Sequence, residues 1–247
     1  MIKIIKKIKN GFAVFSCSQC ILCGAWGKDN LSLCRFCQND LPWLHHACWQ
    51  CAVPLTTSSR RCGACLQKQP PFYRTIALFT YDDLISRCIS LFKFQGSLVH
   101  GQVLAHLMAK FIPDYYQNES IPACIIPMPL HPKRLMRRGF NQAIELCRPL
   151  AKELQLPIES TLCRRVKETL SQAKTSSSES RQRNMHQAFK VEAHRYKHVA
   201  VVDDVMTTGA SVAALAEALK VSGVERIDVW CCARVEHYRL GKTMATA

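Results

Sequence analysis

The residues best equipped for chemistry lie together at Asp203-Asp204 and Thr207-Thr208-Gly209-Ala210-Ser211. Two adjacent carboxylates can accept hydrogen bonds from a sugar diol. A glycine among small hydroxyl-bearing residues lets the backbone close on a phosphate, and the hydroxyls donate to it. The flanking sequence puts both groups on one frame. Val199, Ala200, Val201 and Val202 form a short apolar run that suits a strand buried on both faces. Beyond the loop, Val212, Leu215, Ala216 and Leu219 recur at helical spacing, and Gly223 suits a C-cap. The amino end of that helix offers unpaired N–H groups and a positive dipole end. One strand–loop–helix unit can thus hold the phosphate and the hydroxyls of a ribose 5-phosphate. The plainer alternative is a buried strand with two aspartates capping a turn.

A second cluster is cationic. Cys124-Ile125-Ile126-Pro127-Met128-Pro129 reads as a short apolar strand, and it runs into a segment holding Lys133, Arg134, Arg137 and Arg138. Arginine pairs phosphate bidentately, so this segment suits a pyrophosphate. A run of cations is otherwise a solvated face. Asn141 can cap the helix that follows. Lys93, at the end of an upstream helix, suits compensation of that helix dipole. The acid pair and the cations both follow apolar strands, where an open α/β sheet binds ligand.

A third group is thiol-rich. Cys20/Cys23, Cys34/Cys37, Cys48/Cys51 and Cys62/Cys65 are C-x-x-C pairs whose first members step by 14 residues. Each pair can chelate one ion from a tight turn, and two pairs complete a tetrahedral zinc site. Sequential pairing gives two small ribbons, interleaved pairing gives a cross-braced module, and a single zinc with two free pairs remains open. All-sulfur sites are closed, so the metal is structural. Lys28, Arg35, Arg60, Arg61, Trp43, Trp49, His45 and His46 add cations and rings that suit single-stranded nucleic acid, or ordinary surface charge.

The whole chain narrows the class. Its 247 residues fit one α/β domain plus a small module, and 48% apolar content disfavours disorder. A net charge of +15 favours polyanionic partners. Fifteen cysteines, eight of them in regular pairs, read as zinc in a reducing cytoplasm rather than a disulfide framework. No apolar run is long enough for a transmembrane helix. The leader has isoleucines and lysines alternating up to Lys9 and reads as a frayed start or a short basic amphipathic helix. The expected organisation is a leader and zinc module over 1–66, a linker over 67–73 and an α/β domain over 74–247.

Val-Val-Asp-Asp-Val-x-Thr-Thr-Gly-Ala-Ser resembles the phosphoribosyl pyrophosphate (PRPP) loop of type I phosphoribosyltransferases. With P-x-P-L-H-P-K-R, R-G-F-N-Q-A and the upstream C-x-x-C pairs, it resembles the ComF family, also called GntX-like, over about Cys20 to Arg234. The resemblance implies a type I phosphoribosyltransferase fold, a parallel sheet flanked by helices, with a Cys-rich zinc module before it. It implies PRPP binding with Mg²⁺: Asp203 and Asp204 on the ribose hydroxyls, Thr207 to Ser211 on the 5-phosphate, and Lys133, Arg134, Arg137 and Arg138 on the pyrophosphate. It also implies a part in natural competence, DNA uptake and utilisation, with single-stranded DNA and competence proteins at the inner face of the membrane as partners. A lid over the ligand would come from the Ser-rich tract Lys174–Ser180, between R-x-x-x-T-x-x-Q and R-x-x-N-x-x-x-A-F. Turnover of PRPP, a PRPP sensor or DNA-binding scaffold, and nucleobase salvage all stay open, and no catalytic residue is assigned.

Overall fold

The computed structural model describes residues 19–29, 31–167 and 188–236. The basic leader, Cys17, the Ser-rich tract and the tail from His237 lie outside the described residues. The chain divides into two compact units, one ending at Asp40 and one spanning Leu41–Ala247.

The first unit is a cysteine ribbon. The Gly24 N–H returns to the Cys20 carbonyl at 2.9 Å, and Gly24 takes φ +76°, which closes the first knuckle. Helix α1 (Arg35–Asn39) carries the second knuckle, capped by the Cys34 thiol, which accepts from the Cys37 N–H at 3.4 Å.

The second unit holds a second ribbon and the α/β sheet. Helix α2 (Gly63–Gln67) ends this ribbon. Four parallel strands follow: β1 (Arg74–Thr80), β2 (Cys124–Pro127), β5 (His198–Met206) and β6 (Arg226–Arg234), in the order β1-β6-β5-β2. Between them lie α3 (Asp83–Gln95), α4 (Leu98–Phe111), α5 (Pro132–Arg138), α6 (Gln142–Leu154) and α7 (Ala210–Val221). A small antiparallel hairpin pairs β3 (Cys163–Arg165) with β4 (Phe189–Val191).

Side chains alternate across the sheet, and both faces are covered. Val199, Val201, Val229 and Cys231 share one buried cluster with α7, the hairpin and the second ribbon. Neighbours in β6 meet the helices: the Cys232 thiol lies 3.2 Å from the Met108 sulfur, and the Trp230 indole N–H donates to the Tyr116 hydroxyl at 2.8 Å. This is the expected fold class of a parallel sheet flanked by helices behind a Cys-rich module. Along α4, Val103 and Leu107 are buried while Val99 in its first turn is exposed.

The two ends of the sheet differ. At the amino ends, buried Asp228 accepts from Tyr116 at 2.6 Å, Arg74 at 3.2 Å and Arg226 at 3.1 Å. Burial pushes its carboxyl up, but hydrogen bonds from His198, Arg226 and Tyr116 and the Arg74 charge outweigh it and hold it at about 2.

At the carboxyl ends, Arg234 is 1% exposed and ties separate segments together. Its guanidinium donates to the carbonyls of Cys51 at 2.7 Å, Met206 at 2.9 Å, Val235 at 2.8 Å and Thr207. The ribbon also bonds β1 directly, with Leu44 N–H to Leu78 at 2.8 Å and the Thr75 hydroxyl to the Gln50 carbonyl at 2.9 Å.

Each buried carbonyl left unpaired costs about 1–3 kcal/mol. Arg234→Met should therefore lower unfolding stability in urea by about 3 kcal/mol or more. Arg234→Lys should fall between the two, because an ammonium cannot span the same carbonyls. A loss under about 1 kcal/mol for Arg234→Met would refute the bridging role.

Candidate functional site

The β5–α7 junction carries the first group of candidate residues. Strand β5 continues through the acid pair to Met206, beyond the four-residue run that the apolar pattern marks, because Asp203 and Val205 stay in register with Cys231 and Ala233 of β6. Thr207 and Thr208 are exposed in the loop, and Ala210 and Ser211 open α7. Gly209 caps the helix at φ +78°, a conformation costly for other residues, and a Cβ there would lie 2.6 Å from the Met206 methyl. The Ala210 N–H is met by the Thr208 hydroxyl at 3.3 Å, so the loop is closed over its own helix start.

The acid pair is not alone. The Lys93 ammonium lies 2.8 Å from the Asp204 carboxylate, and its attraction to Asp204 raises Lys93 against the opposing effect of burial. Lys93 reaches this point because α3 ends here, with Gly96 in the left-handed conformation as its C-cap. Asp203 accepts from the Asp204 N–H at 2.9 Å. Burial pushes Asp203 up, the Asp204 charge adds to this, and the carboxyl reaches about 7 despite Lys93 and Arg165.

The cation run forms helix α5 rather than a loop. His131 caps it, accepting from the Lys133 N–H at 3.3 Å, and Pro132 starts it. Residues four apart share a helix face, so Arg134 and Arg138 lie on one side while exposed Lys133 and Arg137 share another. Burial draws Arg138 down; Asp204 opposes this, and Arg134 and Arg137 add to it. The structure thus brings Arg138 into the field of the acid pair, with Arg134 beside it.

The R-G-F-N-Q stretch explains how α5 is held. Arg138 donates to Gln142 at 2.9 Å, and its guanidinium lies 5.2 Å from the Phe94 ring. Gly139 turns the chain at φ +79°. Phe140 packs on Phe92 at 5.5 Å. Asn141 caps α6, accepting from Ala143 at 3.0 Å, while its amide donates to the Met128 carbonyl at 3.2 Å. That last bond fixes α6 to the end of β2.

Sequence reasoning left Arg165 out of the site. It sits in hairpin β3, where burial and Arg134 lower it while Asp203 opposes. Its signal was the first Arg of R-x-x-x-T-x-x-Q, read only as part of a lid.

The cysteines form two clusters by sequential pairing: Cys20, Cys23, Cys34 and Cys37, then Cys48, Cys51, Cys62 and Cys65. Within each, the sulfurs lie within 4.8 Å of one another. Close pairs are Cys23–Cys34 at 3.7 Å and Cys51–Cys62 at 3.6 Å. A tetrahedron of sulfurs about 2.3 Å from a zinc has edges of about 3.8 Å, so both donor sets fit the metal. In the second cluster burial opposes charge on Cys48, yet backbone N–H groups near Cys51, Cys62 and Gln50 outweigh it and bring the thiol to about 7. Burial raises Cys51 in the same cluster, and four thiol donors with no other ligand suit a structural, closed site.

Comparison with known proteins agrees with this reading. Residues 13–66 match the model of the double zinc ribbon domain. The DNA utilization protein YhgH of Escherichia coli (strain K12) is 33% identical over 221 residues, covering 88% of this chain and 95% of that protein. Competence protein F of Haemophilus influenzae is 34% identical over 208 residues, covering 82% and 90%. The chain belongs to the ComF family. A more distant member, competence protein ComFC of Streptococcus pneumoniae, is 23% identical over 236 residues, covering 87% of this chain and 100% of that one. Among solved structures, the adenine phosphoribosyltransferase of Leishmania tarentolae covers 55% of this chain and 71% of its own, at 13% identity and a TM-score of 0.33.

Two outcomes are expected. Metal analysis of the purified protein should give about two zinc per chain, and Cys48→Ser should leave about one; a wild-type value near one would rule out two filled clusters. The second concerns pH. A carboxyl raised on folding binds its proton more tightly in the folded state, so its stabilising share is complete below its unfolded value and is lost as pH rises toward 7. Asp203→Asn should therefore be more stable than wild type at pH 8, by about 1 kcal/mol or more, with the difference vanishing near pH 4. Equal urea midpoints at pH 8 would contradict the raised Asp203.

Proposed function

We propose that this protein binds PRPP with Mg²⁺ at the β5–α7 junction and acts in the handling of single-stranded DNA during DNA uptake and utilisation. One observation carries the ligand assignment. The loop of small hydroxyl residues at a helix start, the adjoining acid pair and the Arg138 face of α5 meet around the Lys93–Asp204 ion pair. Each part of PRPP has its partner there. The 5-phosphate takes the Thr207–Ser211 loop and the N–H groups of α7. The ribose hydroxyls take Asp203 and Asp204. The pyrophosphate takes Arg138 and Arg134, with Lys133 and Arg137 at the outer rim of α5. Mg²⁺ would be carried mainly by the ligand and water.

Ribose hydroxyls donate best to ionised carboxylates, so Asp203 must lose its proton as the ligand binds. If PRPP reacts, departure of pyrophosphate from the sugar carbon is helped by the cations that take up its charge. The role in DNA handling rests on the relatives named for competence and DNA utilisation, and on the +15 charge of the chain. The cytoplasm suits the fourteen described cysteines, all of them free thiols.

Titration calorimetry with Mg-PRPP tests the ligand. Asp203→Asn with Asp204→Asn should weaken binding by about 100-fold or more, since hydrogen bonds to charged groups are worth about 1.5–3 kcal/mol each. Unchanged affinity would sink the ribose assignment. Pyrophosphate release on adding a base or nucleic acid would mark an enzyme, and tight binding without release would mark a sensor.

A further inference from the structure

A cavity of about 720 Å³ lies far from the acid pair, at the amino-terminal end of β6. It falls between the second ribbon, the chain entering β1 and the end of α7, and its size is that of an ordinary small-molecule site. The β5–α7 loop does not line it, and the PRPP reading leaves it unused.

Three kinds of group meet there. The first is aromatic. Trp49 and Tyr73 pack edge to face at 4.7 Å, and Phe72 lies beside them. Tyr73 is 43% exposed, so part of this platform is open to solvent. The second is cationic. Arg60, Arg61 and Lys220 line the cavity, and its one lining carboxylate, Glu225, is already paired with Lys197 at 2.9 Å. The third is a buried amide. Gln50 is 4% exposed and lines the cavity. Its Nε2 donates to the Phe72 carbonyl at 3.5 Å, while its Oε1 has no hydrogen-bond partner among the described residues. Turning the amide over would set oxygen against oxygen, so the free atom is an acceptor. A buried acceptor left unpaired costs about 1–3 kcal/mol, which a ligand donor would recover.

Rings for stacking, cations beside them and a free acceptor together fit one chemistry: an unpaired nucleobase carrying its phosphate. We propose that this cavity binds one nucleotide of a single-stranded nucleic acid. The base stacks on the Trp49 ring, with Tyr73 edge-on beside it, and donates an amino or imino N–H to Gln50. The neighbouring phosphates meet Arg60, Arg61 and Lys220. Arg60 now lies 4.8 Å over the Trp49 ring, so an incoming base displaces it toward the phosphate. The assignment rests on the DNA-handling reading above and gives it a location, separate from PRPP.

The test uses the full-length zinc-loaded protein. Fluorescence anisotropy would follow a labelled 20-residue deoxyadenosine oligonucleotide, with unlabelled dAMP as competitor. Trp49→Leu should weaken oligonucleotide binding by about 5- to 150-fold, the usual worth of one base stack. Trp49→Phe should restore most of it, which a merely structural loss would not do. Arg60→Gln with Arg61→Gln, both outside the core, should reduce the log–log salt slope by about 1.4. All variants should keep their zinc and their Mg-PRPP affinity. Oligonucleotide binding unchanged in these variants would overturn the cavity while leaving the DNA reading intact. No binding of either probe to wild type would overturn both. Binding of dAMP alone, lost in Trp49→Leu, would support the cavity as a nucleotide site and sink the single-stranded nucleic acid as its source.

Discussion

Arg234 is a buried cation with no carboxylate partner among the described residues, held by backbone carbonyls from three segments. Two of those carbonyls, Met206 and Thr207, begin the β5–α7 loop, and another, Cys51, belongs to a knuckle of the second cysteine cluster. A guanidinium can serve so many acceptors because its N–H groups fan out in one rigid plane. The loop therefore starts from a point fixed by the ribbon. The second metal centre is thus part of what sets the backbone of the candidate ligand site. A zinc module on a tether would have no such effect. Here thiolates that lose their metal would free the Cys51 knuckle and, through Arg234, the first residue of the loop.

The opposite charges at the site are arranged in layers. Asp203 and Asp204 are adjacent in a strand, and burial together with the Asp204 charge leaves Asp203 hard to ionise. Lys93 relieves this at 2.8 Å from Asp204. Arg138 and Arg165 stand further off and feel the pair mainly as a field. The fold keeps these cations near the acids without locking them there. Arg138 holds Gln142, and Arg165 belongs to a hairpin whose further connection lies outside the described residues. A polyanion entering here meets Arg138 held by the neutral Gln142 amide.

Much of this was legible in the sequence because local chemistry carries it. The β5–α7 loop shows as small residues around a glycine at a strand–helix change, and Gly209 has the positive φ that the turn requires. The C-x-x-C pairs were equally plain, but a constant step of 14 fits several pairings, and only the folded chain separates them. Four cations in six residues gave no hint that a proline and a capping histidine would wind them into a helix with two faces. Arg234 was invisible as a site residue, and Arg165 showed only as the first Arg of R-x-x-x-T-x-x-Q, for one reason. Each acts across more than twenty-five positions of chain, Arg234 on Cys51 and Arg165 toward Asp203. Sequence spacing reports neighbours along the chain, and these contacts exist only after the sheet has formed.

The Lys93–Asp204 pair sets a condition on any sugar that binds there. A ribose hydroxyl reaching Asp204 must take the place of an ammonium already at hydrogen-bond distance. Opening that pair costs part of the binding energy, and Lys93 would be costly to leave half-buried without a new anion. A neutral sugar offers none. Under the proposed PRPP binding, a pyrophosphate on the adjoining carbon would offer one, with Arg138 as its second cation. The same exchange lets Asp204 turn from a cation to a diol while the total charge of the site stays balanced. Ribose 5-phosphate, with no second anionic group at the reacting carbon, would displace Lys93 and give it nothing in return. The ion pair thus favours a ligand phosphorylated at both ends over one phosphorylated at a single end.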